Sequence, residues 1–194
     1  MSAARAVLLG MTIAFFVVGG PMSNQMQNVV SKMAGKAAAA EAHFRGLRGV
    51  FTKLAEQHHA VATLLTRALH VEGLRERNEL WTEIRKELIS HEQGELLEVY
   101  PVLESYEATR ELARRHGDHA NELEDAIAEL DAIGAGAPAW KPALERLIAI
   151  VKEHVALEEQ ELFPRAQQAL GDEAARQLER AFLRAKEMAA RAFG

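Results

Sequence analysis

The chain has 194 residues and is 48% apolar, enough for one domain with short extensions. It contains no cysteine, which excludes disulfides, thiolate metal sites, iron–sulfur clusters and cysteine nucleophiles, so any bound metal must be held by nitrogen and oxygen. A net charge of −5 with no clustered basic face argues against nucleic acid as a partner.

The first twenty residues stand apart. Arg5 precedes an uncharged, mostly apolar run of 15 residues, Ala6 to Gly20, which is short of the roughly 20 needed to span a bilayer. The run resembles a signal peptide but lacks a clear small-x-small cleavage site. Cytoplasmic residence is expected, with export or membrane anchoring through residues 6–20 as the alternative. Residues 21–45 are Ala-rich and predict a helical lead-in, interrupted near Gly46 and Gly49.

Four periodic segments follow, with no alternating strand pattern between them. Their apolar stripes run Phe51, Leu54, His58, Val61, Leu65; then Ile84, Leu88, His91, Glu95, Glu98 or Val99, Val102; then Leu112, His116, His119, Leu123; then Leu147, Val151, His154, Glu158, Glu161 or Leu162. Each is a seam of the kind that packs helices side by side. In every seam a histidine stands where an apolar residue is expected. The short links around Gly73 and Gly134–Pro138 predict antiparallel neighbours, hence an all-α, up-down-up-down four-helix bundle over residues 46–170. Pro101 and Pro164 predict a kink or restart. A closing helix follows from Gly171 to the C-terminus at 194.

The chain writes one stretch twice. His91-x3-Glu95-x2-Glu98-x-Tyr100-Pro101 recurs 63 residues later as His154-x3-Glu158-x2-Glu161-x-Phe163-Pro164. A His and a Glu four apart on a helix project from one face, one turn above the other, and can share a metal. A lone histidine precedes each pair: His58 lies 33 residues before His91, and His119 lies 35 before His154. Six ligands result: His58, His91, Glu95, His119, His154 and Glu158. Imidazole with carboxylate suits iron, manganese or zinc, and six side chains exceed the needs of one tetrahedral zinc. Two metals bridged by the carboxylates would use all six, whereas two buried carboxylates with no cation would be costly. His116 shares the His119 face and is an alternative third-helix ligand; His119 is preferred because it keeps the repeat spacing. His59 is expected to be exposed or to support the ligands. Glu92, Glu98, Glu159 and Glu161 are expected on a solvated acidic rim or orienting the imidazoles.

The pattern resembles the hemerythrin-like, or HHE cation-binding, family. The resemblance is carried by Leu54-x2-Gln57-His58-x2-Val61-x2-Leu64, by His91-x3-Glu95 through Tyr100-Pro101, by Asp118-His119, and by His154-x3-Glu158-Glu159 through Leu162-Phe163-Pro164. It implies a four-helix bundle around two non-haem irons, oxo- or hydroxo-bridged, with manganese or zinc as substitutes. Three departures stand out. Gln57 occupies a place where the family often has an acid. The third helix carries His116-x2-His119 where oxygen-carrying members have His-x3-His. The fourth carries His-x3-Glu where they have His-x4-Asp.

The expected role is binding of O2 or NO for storage or sensing, with no catalytic residue assigned. An enzyme acting on peroxide or ferrous iron is the alternative, and an iron-dependent folding sensor is a third reading. The oligomeric state is not legible in the sequence.

Overall fold

The computed structural model describes residues 24–192. The expectations for residues 6–20 lie outside them. The described residues are helical with no strand: α1 (Asn24–Phe44), α2 (Val50–His70), α3 (Leu74–Gly94), α4 (Tyr100–Glu104), α5 (Arg110–Ile133), α6 (Trp140–Leu157) and α7 (Phe163–Ala192). No helix among them is long and apolar enough to cross a membrane.

Apolar stripes at three- and four-residue spacing bury α2, α3, α5 and α6 against one another. Their core falls into two parts. One gathers Val61, Leu65, Trp81, Ile84, Leu123, Leu130, Trp140 and Leu147, with Trp81 and Trp140 edge to face at 6.2 Å. The other gathers Phe51, Leu54, Val99, Tyr100, Leu112, Leu162, Phe163 and Phe182. The seam histidines fall between the two along each helix: His58 between Leu54 and Val61, His91 between Leu88 and Val99, His116 between Ala113 and Leu123, and His154 between Val151 and Leu162. A polar layer is thus closed above and below by apolar packing.

The prolines act as expected in location but not in form. A π-helical turn, Glu95–Val99, joins α3 to α4, and a second, Glu158–Leu162, joins α6 to α7. In each, the N–H five residues on returns to the carbonyl of the ligand-position glutamate: Tyr100 to Glu95 and Phe163 to Glu158. One residue is thereby inserted into the α-helical count just before a proline that would clash with an ordinary turn. Beyond it the buried face moves by one residue. Val99, Tyr100 and Leu103 are buried where the periodicity pointed to Val102, and Leu162, Phe163 and Ala166 follow in the second copy.

Two helices flank this assembly. α1 lies on α2, where the Ser31 hydroxyl donates to the Ala60 carbonyl at 2.9 Å. α7 breaks at Gly171, whose φ of 75° favours glycine, and its second half returns to pack on α2 and α3.

Candidate metal centre

Four imidazoles and three carboxylates meet in the polar layer. His58 comes from α2, His91 and Glu92 from α3, Glu95 and Glu158 from the starts of the two π turns, His116 from α5 and His154 from α6. All seven are buried. The ligating atoms of six of them form two groups that share Glu95: His58, His91 and Glu95, and Glu92, Glu95, His116 and His154, each with its atoms within 4.8 Å of one another.

The pairwise distances are those of neighbours on one coordination sphere. His91 Nε2 lies 3.2 Å from Glu95 Oε2, His58 Nε2 3.2 Å and His154 Nε2 3.3 Å from Glu158 Oε2, and His116 Nε2 2.8 Å from Glu92 Oε1. Ligands about 2.1 Å from one metal and at right angles stand about 3.0 Å apart. Glu158 Oε2 touches both His58 and His154, so it reaches from one group to the other.

The unsatisfied atoms point the same way. His58 Nε2, His91 Nε2, Glu92 Oε2, both oxygens of Glu95 and Glu158 Oε2 are buried without a hydrogen-bond partner among the described residues. Buried polar atoms are normally paired, and here most of them belong to one layer and face one another. A cation satisfies them together, so the residues present fit a metal.

The outer edges of the layer fix the imidazoles. His58 Nδ1 is held by Glu159 Oε1 at 2.9 Å, and His91 Nδ1 by Gln57 Oε1 at 2.9 Å, leaving both Nε2 atoms inward. Tyr100 and Phe163, which correspond in the two copies, lie flat on His116 and His58, with ring centroids 3.6 and 6.0 Å apart. The Tyr100 hydroxyl also donates to Glu158 Oε1.

Electrostatics divide the Glu95 and Glu158 carboxyls. Burial, the adjacent Glu158 and Glu92 push the Glu95 carboxyl well above its usual range. Burial also works against the Glu158 carboxylate, but His154 and His58 outweigh it and hold its pKa well below normal. Burial opposes the His58 imidazolium, yet Glu158 and Glu159 raise it to about 9. His91 is held well below 6.5 by burial and by the His58 and Lys186 cations. The layer thus holds one carboxyl kept protonated and one kept ionised, and a bound cation would take the place of the protons.

One expectation about residues changes. His119 is half-buried and lines a surface pocket with Arg115, Glu153 and Gln160; His116 takes the inward place. Steps of seven residues back from Leu130 reach Leu123 and then His116, and the face continues through Ala113 and Ala120. His119 falls to one side of that stripe. The equal spacing that favoured it is not required, because α5 runs more than a turn further past His116, to Ile133, than α2 runs past His58, to His70. Of the two places expected for Glu92, a solvated rim or against an imidazole, it takes the second, buried in the layer with Oε1 2.8 Å from His116 Nε2. The signal for it was slight: Val155 stands at the same place in the second copy, so the repeat gave Glu92 no partner. His59 is about half exposed, its Nδ1 bonded to the Ala55 carbonyl at 3.1 Å. Glu161 is exposed and Glu98 half-buried, away from both groups.

Comparison with curated proteins and with solved structures finds no match. The hemerythrin HHE cation binding domain model matches residues 49–166, a span that contains all seven residues of the layer. The chain therefore belongs to the hemerythrin HHE cation-binding family.

Proposed function

We propose that the layer holds two irons side by side and that the protein binds a small ligand, O2 or NO, beside them. In this reading α2, α3, α5 and α6 form an up-down-up-down antiparallel bundle. His58 and His91 would hold one iron, His116, His154 and Glu92 would hold the other, and Glu95 and Glu158 would reach both. Imidazole and carboxylate donors without a thiolate suit iron, and manganese or zinc would occupy the same donors. Two reduced irons held by these donors would supply the electron density that captures O2 or NO.

The observation that carries this reading is a cavity of about 20 Å³ touching His58, His91, Glu92 and His154. Its remaining walls are largely Val61, Leu88, Leu123, Val151 and Val155. It has room for about one molecule the size of water, and its apolar walls exclude bulk solvent from the layer. Metal donors on one side and aliphatic walls on the other select a small, weakly polar ligand.

The test is anaerobic iron loading, metal analysis, and an absorbance spectrum before and after O2 is admitted. Two irons per chain and a visible band that reverses when O2 is removed are expected. No more than one bound iron would overturn the two-iron reading.

A second reading, reduction of peroxide or oxidation of ferrous iron, is favoured by Glu92. This third carboxylate adds negative charge that stabilises the oxidised metal. It also lines a groove of about 240 Å³ with Arg85, Leu88, Leu123 and Asp131, which gives reactants a wider approach. Steady consumption of H2O2 with a reductant would establish this reading over reversible binding.

A further inference from the structure

The second half of α7 lies beyond residues 49–166 yet touches the layer. Lys186 Nζ donates to Gln57 Oε1 at 2.9 Å and to Glu87 Oε2 at 2.8 Å. Gln57 Oε1 is the same atom that accepts from His91 Nδ1 at 2.9 Å. One turn earlier on α7, Phe182 stands edge-on to the His91 ring, with centroids 5.7 Å apart. This approach depends on Gly94, where a Cβ would come within 2.9 Å of the Phe182 ring. His91 is therefore held on its outer nitrogen by Gln57 and on its ring by Phe182, with Nε2 left facing Glu95.

We infer that Lys186 is a positioning residue for the metal centre, acting through Gln57 to weaken His91 as a donor relative to His58. The inference rests on the reading of the layer as an iron site. His58 and His91 belong to the same group of ligands, but their outer nitrogens meet different acceptors. His58 faces the carboxylate of Glu159, which draws its N–H proton and makes the imidazole more basic. His91 faces a neutral amide oxygen already shared with an ammonium, which draws electron density away from that hydrogen bond. Lys186 is only 13% exposed and is fixed by Glu87, so its charge acts across protein rather than water. A weaker imidazole donor and a nearby fixed cation both favour the lower-charged, reduced metal. Lys186 thus sets the potential of this metal through Gln57, the neutral oxygen that it shares with His91.

The test compares wild type, Lys186→Met, Lys186→Arg and Gln57→Glu as full-length, iron-loaded proteins. Bound iron is counted first, and the midpoint potential is then read from a redox titration followed by absorbance. Lys186→Met and Gln57→Glu are each expected to shift the potential downward at an unchanged iron count, while Lys186→Arg keeps it near the wild-type value. Lys186→Gln, whose amide can still donate to Gln57 and Glu87, carries the test if Lys186→Met folds poorly. A wild-type potential in the neutral Lys186 variant, with iron bound, would overturn the inference while leaving the metal centre standing, whatever Gln57→Glu does. Failure of the wild type to bind iron would overturn both, and the iron count separates the two failures.

Discussion

The Tyr100 hydroxyl donates to Glu158 Oε1, and no such tether exists for Glu95, because Phe163 stands where a second tyrosine would be. The two copies of the motif share a backbone, a π turn and a stacked aromatic ring, yet only one of the two bridging-position carboxylates is anchored by protein. Glu158 is thus held without a metal, whereas both oxygens of Glu95 lack a hydrogen-bond partner among the described residues, with His91 Nε2 3.2 Å away.

Tyr100→Phe isolates that tether. The ring and its stacking on His116 remain, and only the hydroxyl is lost. A hydrogen bond to a charged acceptor contributes about 1.5–3 kcal/mol, so the metal-free variant should melt lower. Loss of an outer partner of a ligand should weaken metal binding roughly tenfold, read by competition with a coloured chelator. Equal affinities would show that Glu158 needs no anchoring.

His116 and His119 make a paired test of the third-helix ligand. His116→Ala should lose the metal bound by Glu92, His116 and His154, lowering the bound iron from two to one per chain. His119→Ala should retain both, because its side chain faces a surface pocket. The reverse result would restore the repeat-based assignment.

That pair marks how far the sequence could be read. The helical segments follow from three- and four-residue stripes, and the inward turn of His58, His91, His154, Glu95 and Glu158 from their places within those stripes. The π turns are not legible, since Leu96 to Val99 read equally well as an ordinary turn, and the inserted residue shows only in the burial of Tyr100 and Phe163. His116 was legible by heptad steps along its own helix but was displaced by spacing between helices, which depends on how far each helix runs. Glu92 was hidden for a different reason. It lies one residue after His91, at an angle that is polar surface on most helices, and α5 alone brings His116 against it.

Glu92→Gln should separate stability from binding. Glu92 Oε1 pairs with His116 Nε2 at 2.8 Å while Oε2 is buried with no hydrogen-bond partner among the described residues, so glutamine keeps an oxygen for His116 and removes one of the acidic groups that crowd Glu95. The metal-free variant should therefore melt at the same temperature or higher, while iron loading should lose the metal on the His116 side. A variant that melts lower and still binds two irons would mean that Glu92 serves the fold rather than the centre.

The metal-free protein should lose stability as pH rises from 6.5 to 9. Burial opposes the His58 imidazolium, but Glu158 and Glu159 hold its pKa up at about 9. A group raised in this way contributes fully below its unfolded value of 6.5 and loses that contribution as pH passes its folded value. Glu95 acts in the same direction, because burial and its acidic neighbours raise its carboxyl, so its ionisation also becomes costly as pH rises. His91, held well below 6.5 by burial, stays neutral throughout this window. Metal requires neutral His58 and ionised Glu95, so metal affinity should climb across the same interval. Melting curves and chelator competition at pH 6.5 and 9 should therefore move in opposite directions, and a common direction would refute the assigned protonation.

Removing the metal should soften the protein without unfolding it. Folding that depends wholly on metal requires that little else hold the chain, but the layer lies between two apolar clusters. Phe51, Leu54, Ile84, Leu130, Leu144 and Leu147 are fully buried without contributing to it. The unpaired atoms of the layer still disfavour the metal-free state, and an ion that binds only the folded chain stabilises it by about 2.7 kcal/mol at a hundredfold excess over Kd. For a chain of this size that corresponds to about 5–10 °C in melting temperature. Helicity by circular dichroism should survive chelation while the melting point drops by that order. Collapse of the helical signal on chelation would instead make the metal part of the fold, and would move the iron-dependent folding sensor from third place to first.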